Sequence, residues 1–208
     1  MKINEEDKAY LKQLFSQSLK EKVNIIFIEG EGETTKEIKE LYEDLILLDE
    51  RINLVIYQKD SKEAKFLKAE LTPATIIGGE KIFNAKFLGA PLGYEFSALI
   101  DDIIDASRRE TRLKIKTKEF IKSIQKNIDI KVFVTPTCPY CPRAVRIAHQ
   151  FAMENIRINA SMIEAMEFPE LADKYSVMAV PKIVINDSIS FEGALPEEFF
   201  VEQIKKSL

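Results

Sequence analysis

The order of strands and helices read from the first half of this chain recurs in the second half, and that repetition limits its fold more than any other feature. Apolar residues at helical spacing predict a helix over 5–20, with Leu11, Leu14, Phe15 and Leu19 on one face. Apolar runs predict strands over 23–28 and 52–57, separated by a glycine-bearing polar turn over 29–33 and a helix over 34–44. A short helix over 63–68, a strand over 71–77, the hairpin signal Gly78-Gly79, a strand over 81–87 and a helix over 93–107 follow. The second half reads as helix 117–126, strand 130–134, a long helix ending near 154, strand 156–160 and helix 169–175. Strand 180–185, the turn Asn186-Asp187, strand 189–191 and helix 197–206 complete it.

The offset between the halves is nearly constant. Phe27 matches Phe133 at an offset of 106, Pro73 matches Pro181 at 108, and Phe87-Leu88-Gly89-Ala90 matches Phe191-Glu192-Gly193-Ala194 at 104. Loop insertions and deletions account for such drift. Two copies fall short of the roughly three that a solenoid needs, so the chain reads as a tandem pair. Each unit is β-α-β-α-β-β-α. The crossovers imply parallel pairing and the tight turns an antiparallel hairpin, which together make a mixed four-stranded sheet flanked by helices. Runs such as Val132-Phe133-Val134 and Ile183-Val184-Ile185 show no alternation and read as buried on both faces. The expected division is 1–112 and 113–208. The charged stretch from Ser107 to Lys114 is read as a short helical boundary that lets the units pack together.

Chemistry is concentrated at Cys138-Pro139-Tyr140-Cys141, just after a strand and at the start of a long helix. A cysteine at a helix start faces free N–H groups and the positive end of the helix dipole, which favour thiolate over thiol. Pro139 suits the first turn, where its missing N–H has nothing to bond, and Pro142 is still early enough to be tolerated. Cys141 lies one helical turn on, close enough for a disulfide and more buried, as a resolving thiol should be. Other uses of the pair are weaker. A structural bridge across one turn closes a tiny loop and contributes little by chain entropy. Zinc needs four ligands, and the one histidine, His149, sits eight residues past Cys141, about 80° around the helix. No metal is therefore expected, and His149 reads as a helix-surface or packing residue. A cluster bridged between two copies through Cys138 is compatible with the pair, but nothing requires it.

Composition removes other classes. The chain has 208 residues, 46% apolar and 31% charged, with 30 basic and 34 acidic residues and a net charge of −4. No basic excess favours nucleic acid. No apolar window approaches the roughly 18 residues of a membrane span, and the N-terminus is polar and acidic instead of resembling an export leader, so a cytoplasmic location is expected. High, mixed charge with no Trp and only two Cys leans towards a thermophile. In the cytoplasm a C-x-x-C pair is more often catalytic or metal-binding than structural.

With Ala179-Val180-Pro181 about forty residues beyond Cys141, the motif resembles the thioredoxin superfamily, and Cys-Pro-Tyr-Cys resembles glutaredoxins. The resemblance implies two tandem thioredoxin-like folds, a cis Pro181 against the dithiol, and Val180 offering its backbone to substrate. The double arrangement is similar to the protein disulfide oxidoreductases of thermophilic archaea and bacteria, over nearly the whole chain. It also resembles the N-terminal domain of the alkyl hydroperoxide reductase flavoprotein. No flavoprotein portion follows, so a free-standing oxidoreductase is expected. That family implies Cys138 as nucleophile and Cys141 as resolver, and Thr135, Pro136, Pro139, Tyr140, Val180 and Pro181 as the substrate groove. It further implies protein disulfides as substrates, a part in cell redox homeostasis, and electrons from a thioredoxin-reductase-like flavoenzyme, with no bound cofactor. Glutathione is the weaker candidate, since no basic cluster awaits its carboxylates. Arg143 reads equally as a source of positive potential or as solvated surface. The first unit departs from the pattern. At an offset of 106, Gly32 and Thr35 stand where the thiols would be, among Glu29, Glu31 and Glu33, while Thr72-Pro73 is kept. The first unit is thus expected to be a scaffold or docking surface. The rival to an enzyme is a redox-responsive binding or chaperone-like module with the dithiol as its switch.

Overall fold

The computed structural model describes residues 3–208. The first half contains α1 (Glu5–Ser18), β1 (Val23–Glu29), α2 (Glu33–Ile46), β2 (Ile52–Gln58), α3 (Lys62–Phe66), β3 (Ala74–Gly78), β4 (Ile82–Leu88) and α4 (Glu95–Arg108). The second contains α5 (Ile115–Ser123), β5 (Ile128–Val134), α6 (Cys141–Glu154), β6 (Ile158–Glu164), α7 (Pro169–Lys174), β7 (Lys182–Ile185), β8 (Ile189–Glu192) and α8 (Glu197–Ser207). Local chemistry sets several of these boundaries. Asn4 starts α1 by accepting the Asp7 N–H at 2.8 Å, and Ser61 starts α3 by accepting the Ala64 N–H at 3.0 Å.

The two four-stranded sets are joined edge to edge. β4 pairs in parallel with β6, giving one eight-stranded sheet in the order β2-β1-β3-β4-β6-β5-β7-β8. Pairing covers what would otherwise be an exposed edge on each unit. β1, β2, β4, β5 and β6 run one way, and β3 and β7 run the other. The C-terminal ends of β1, β4, β6 and β5 therefore gather at one end of the sheet, beside the starts of β3 and β7.

One face of the sheet carries the larger core, under α1, α2, α4, α5, α6 and α8. The other carries a smaller core under α3 and α7. Val132 and Val134 point into the first and Phe133 into the second, which is why Val132-Phe133-Val134 shows no polar alternation. No helix among the described residues is long and apolar enough to cross a membrane.

The halves also meet through a buried charged seam. Arg146 of α6 pairs with Asp102 and Asp105 of α4. His149 Nδ1 lies 2.6 Å from Asp102 Oδ2, with its ring edge-on to Phe87 at 4.8 Å. Burial, aided by Arg146, pushes the His149 pKa down to about 3, so the ring is neutral and its Nδ1–H donates to Asp102. His149 is thus a packing residue and not a helix-surface one.

Three expectations need correction. The boundary is not a helix: α4 ends at Arg108, Arg109 takes a left-handed conformation with φ 55°, and 110–114 run without regular structure. The strand expected over 156–160 runs from Ile158 to Glu164, because its parallel partners β4 and β5 extend that far. The strand expected from residue 71 begins at Ala74, directly after a cis Thr72–Pro73 bond.

Candidate active site

Cys138 and Cys141 form a disulfide with Cα atoms 5.5 Å apart. The helix begins at Cys141, not at Cys138. Residues 135–140 form a loop, turned by a hydrogen bond from the Cys138 N–H to the Thr135 carbonyl at 3.1 Å. Cys138 still does a cap's work from outside the helix, since its Sγ accepts the Cys141 N–H at 3.2 Å. The same sulfur lies 3.8 Å from the Val180 carbonyl oxygen, and the Val180–Pro181 bond is cis. Pro142 occupies the first turn, where its ring displaces no helical hydrogen bond.

Exposure separates the two sulfurs. Cys138 is 8% exposed and Cys141 is 0% exposed. Of the two, only Cys138 keeps any exposure, so it is the one placed to meet an incoming sulfur. Thr135, Pro136 and Val180 are half-buried around it, Pro139 is exposed, Pro181 is buried, and Tyr140 is 71% exposed. The structure brings all the expected site residues to one end of the sheet. Arg143 is exposed on the first turn of α6.

The first unit has a related end with a different loop. Ala74 and Lys182 each directly follow a cis proline. Ala74 pairs with Ile28, and Lys182 pairs with Phe133. Ile28 is therefore the counterpart of Phe133, and the strands match at an offset of 105. The helices match at 108, since α2 starts at Glu33 and α6 at Cys141. The connection is correspondingly shorter: 30–32 in the first unit against 135–140 in the second. Gly32 and Thr35 are thus not direct stand-ins for the two thiols. By the helix offset, Gly30 takes the place of Cys138. A Cβ on Gly30 would lie 2.7 Å from Pro73 N, so the loop is closed against its cis proline with no room for a side chain. Gly32 has φ +88°, a conformation that favours glycine.

The sequence reading missed Glu95. It opens α4 and is 1% exposed, and neither carboxylate oxygen has a hydrogen-bond partner among the described residues. The residues before it clamp the dithiol loop. The Tyr94 N–H donates to the Pro136 carbonyl at 3.1 Å, and a Cβ on Gly93 would lie 2.2 Å from the same oxygen. Burial pushes the Glu95 pKa up to about 8, into the range where thiols ionise. A signal was available in the sequence. Glu95, Asp102 and Asp105 interrupt the stripe that Ala98, Leu99 and Ile103 place against the core. Glu164 is a second such group. It ends β6 opposite Val134, with one oxygen accepting the Glu167 N–H at 2.6 Å and the other without a partner among the described residues.

The comparisons with known proteins agree with this geometry. The family described as "Thioredoxin domain" matches residues 128–206. A solved protein disulfide oxidoreductase from Aeropyrum pernix is 31% identical and superposes with a TM-score of 0.91, covering 100% of this chain and 94% of that one. The F component of alkyl hydroperoxide reductase from Staphylococcus aureus is 30% identical over 186 residues, 88% of this chain and 34% of that protein. This chain thus spans about a third of the length of those relatives. The thioredoxin of Methanocaldococcus jannaschii is 43% identical over 82 residues, which is 39% of this chain and 96% of that one.

Proposed function

This chain belongs to the protein disulfide oxidoreductases built on two thioredoxin folds, and from that premise we propose that it exchanges disulfides with protein substrates through the single dithiol Cys138–Cys141. The carrying observation is the asymmetry of the two cysteines: Cys138, slightly exposed and beside the Val180 carbonyl of the cis Val180–Pro181 bond, and Cys141, fully buried at a helix start. We divide the chain as 1–112 and 113–208, with chemistry in the second unit alone.

In the reducing direction the reduced protein presents Cys138 as a thiolate, favoured by the Cys141 N–H and the α6 dipole. It attacks one sulfur of a substrate disulfide, and the other leaves as a thiolate that takes up a proton. The product is a mixed disulfide on Cys138. Cys141 loses its proton and attacks Cys138 Sγ, expelling the second substrate sulfur and forming the Cys138–Cys141 disulfide. Two electrons have moved from the protein to the substrate, and a second dithiol must return them. A thioredoxin-reductase-like flavoenzyme in the cytoplasm suits that role. In the opposite direction the same steps donate a disulfide. Thr135, Pro136, Pro139, Tyr140, Val180 and Pro181 form the groove, with the Val180 backbone aligned to the substrate chain.

The test is catalytic reduction of insulin disulfides with dithiothreitol as electron source. The proposal expects turnover that Cys138→Ser abolishes. Intact thiols with no turnover would refute it and favour the redox-responsive binding module.

A further inference from the structure

We propose that the inactive first unit supplies a second substrate subsite, a groove between α1 and α4 that takes an apolar, preferably aromatic, side chain about three to five residues from the reacting cysteine of a substrate protein. The inference rests on the disulfide-exchange reading above and names the class of segment that site prefers: polypeptide that exposes phenylalanine, tyrosine or leucine near its cysteine, as incompletely folded proteins do.

A cavity of about 400 Å³ lies in this groove. The C-terminal ends of the two helices are tied together, since Arg108 Nε donates to the Ser18 carbonyl at 2.7 Å and Ser107 Oγ accepts the Lys20 N–H at 2.8 Å. The groove opens between their N-terminal turns, at the dithiol end of α4. Leu11 and Ile100, both buried, form its floor, and the half-buried Leu14 and Phe96 form its walls. At the rim Tyr10 is 64% exposed and Tyr94 is 53% exposed, and neither belongs to a core. Two exposed rings over an apolar floor are surface that folding does not require and that binding uses.

The groove adjoins the reacting sulfur on the same face of the sheet: Leu11, Ile100, Cys138 and Cys141 all belong to the larger core. Gly93 and Tyr94 line the groove and also touch the dithiol loop. The Tyr94 N–H donates to the Pro136 carbonyl at 3.1 Å, and a Cβ on Gly93 would stand 2.2 Å from that oxygen. Pro136 is two residues from Cys138, at most about 7 Å along the chain. Ser97 and Asp101 of the groove also line the neighbouring cleft, which holds Pro142 and Arg143 directly after Cys141. An extended substrate chain bonded at Cys138 passes Pro136 after about two residues and reaches the groove after about one to three more, at about 3.3 Å per residue.

Charge and shape select the occupant. No cation lines the groove among the described residues. Its two carboxylates are both engaged: Asp101 accepts from Arg112 at 2.6 Å, and Asp7 accepts from the Asn4 amide at 2.7 Å. A substrate carboxylate meets only like charge there, and a substrate cation finds acids that already have partners. Burial of apolar area is what the groove offers, and the Tyr10 and Tyr94 rings favour an aromatic side chain through edge and offset contacts. The task needs no thiol, consistent with a loop closed at Gly30.

The test uses the full chain and a set of peptides, each joined through its single cysteine to a small aromatic thiol whose release is followed spectroscopically. The peptides are polar throughout except for one phenylalanine, moved stepwise along either side of the cysteine. The proposal expects kcat/KM to peak with phenylalanine about three to five residues away on one side, about tenfold above the peptide without it, the gain that partial burial of one aromatic side chain provides. Lysine or glutamate at the peak position gives no such gain. The peak flattens in Tyr10→Asp, an exposed site, and in Leu14→Ser, while Tyr10→Phe retains it. Leu47→Asp, at an exposed leucine beyond the end of α2, retains it too. A flat profile in the wild type, a peak only beside the cysteine, or a peak that either Tyr10→Asp or Leu14→Ser leaves in place overturns the subsite and leaves the oxidoreductase reading intact. A dimer of the chain that Tyr10→Asp dissolves while the peptide profile stays as it was also overturns it, and assigns the groove to a second copy. No thiol release from any peptide refutes the oxidoreductase reading, and the subsite with it.

Discussion

Glu95 gives the stability of this protein a pH dependence that a single substitution removes. An ordinary glutamate ionises near 4.5, and burial without a partner raises this one to about 8. Between those values the folded protein holds a proton that the unfolded chain has released. Stability therefore falls as pH rises through this window and levels off above it. Each unit of difference is worth about 1.4 kcal/mol, so Glu95 alone removes on the order of 3 to 5 kcal/mol between pH 5 and pH 9. The difference between wild type and Glu95→Gln isolates Glu95, because glutamine does not titrate. The assay is urea unfolding of the oxidised protein at half-unit steps of pH. The two curves should diverge steadily above pH 5, with the variant gaining several kcal/mol relative to wild type by pH 9. Parallel curves would show that Glu95 is solvated or paired, and the argument from its burial would fail.

Three further outcomes follow from single contacts. Placing cysteines at Gly32 and Thr35 should give no second centre of insulin turnover, because Gly32 holds φ +88° and the loop is closed at Gly30; restored activity in a Cys138→Ser background would contradict this. Gly93→Ala should lower stability by about 1 to 3 kcal/mol and insulin turnover severalfold, since the new Cβ meets the Pro136 carbonyl at 2.2 Å and must move the dithiol loop; unchanged kcat/KM and thermal midpoint would contradict it. Arg146→Ala should cost about 3 to 5 kcal/mol by removing the buried cation between Asp102 and Asp105, which keep only His149 and Arg112 as partners among the described residues, measured as a drop in the urea midpoint; a loss below about 1 kcal/mol would mean that the seam contributes little.

Much of this architecture is legible in the sequence. Each of the sixteen elements among the described residues overlaps an element read from the sequence, and the repeat is visible in Pro73 and Pro181 and in Gly89 and Gly193. In the structure Gly89 and Gly193 each donate to the carbonyl of their proline, at 2.9 and 2.8 Å. What the sequence could not supply is long-range. That β4 and β6 fuse the sheets depends on edge strands whose residues look like any half-buried strand. The mapping of Gly32 and Thr35 erred because strands and helices keep different offsets across a shortened loop, which only pairing register exposes. Glu95 escaped notice because a charged residue opening a helix looks solvated until its tertiary neighbours bury it. The dithiol was legible because its spacing alone carries the chemistry.

The central claim is that Cys138 is the one sulfur that meets substrate and Cys141 the one that releases it. It is tested most directly by the mass of the adduct trapped when each single variant is mixed with a disulfide-bonded protein. Cys141→Ser should hold one substrate per chain through Cys138, releasable by dithiothreitol, and Cys138→Ser should hold none. An adduct on Cys141 in the Cys138→Ser protein, at a rate comparable to the first, would contradict the account.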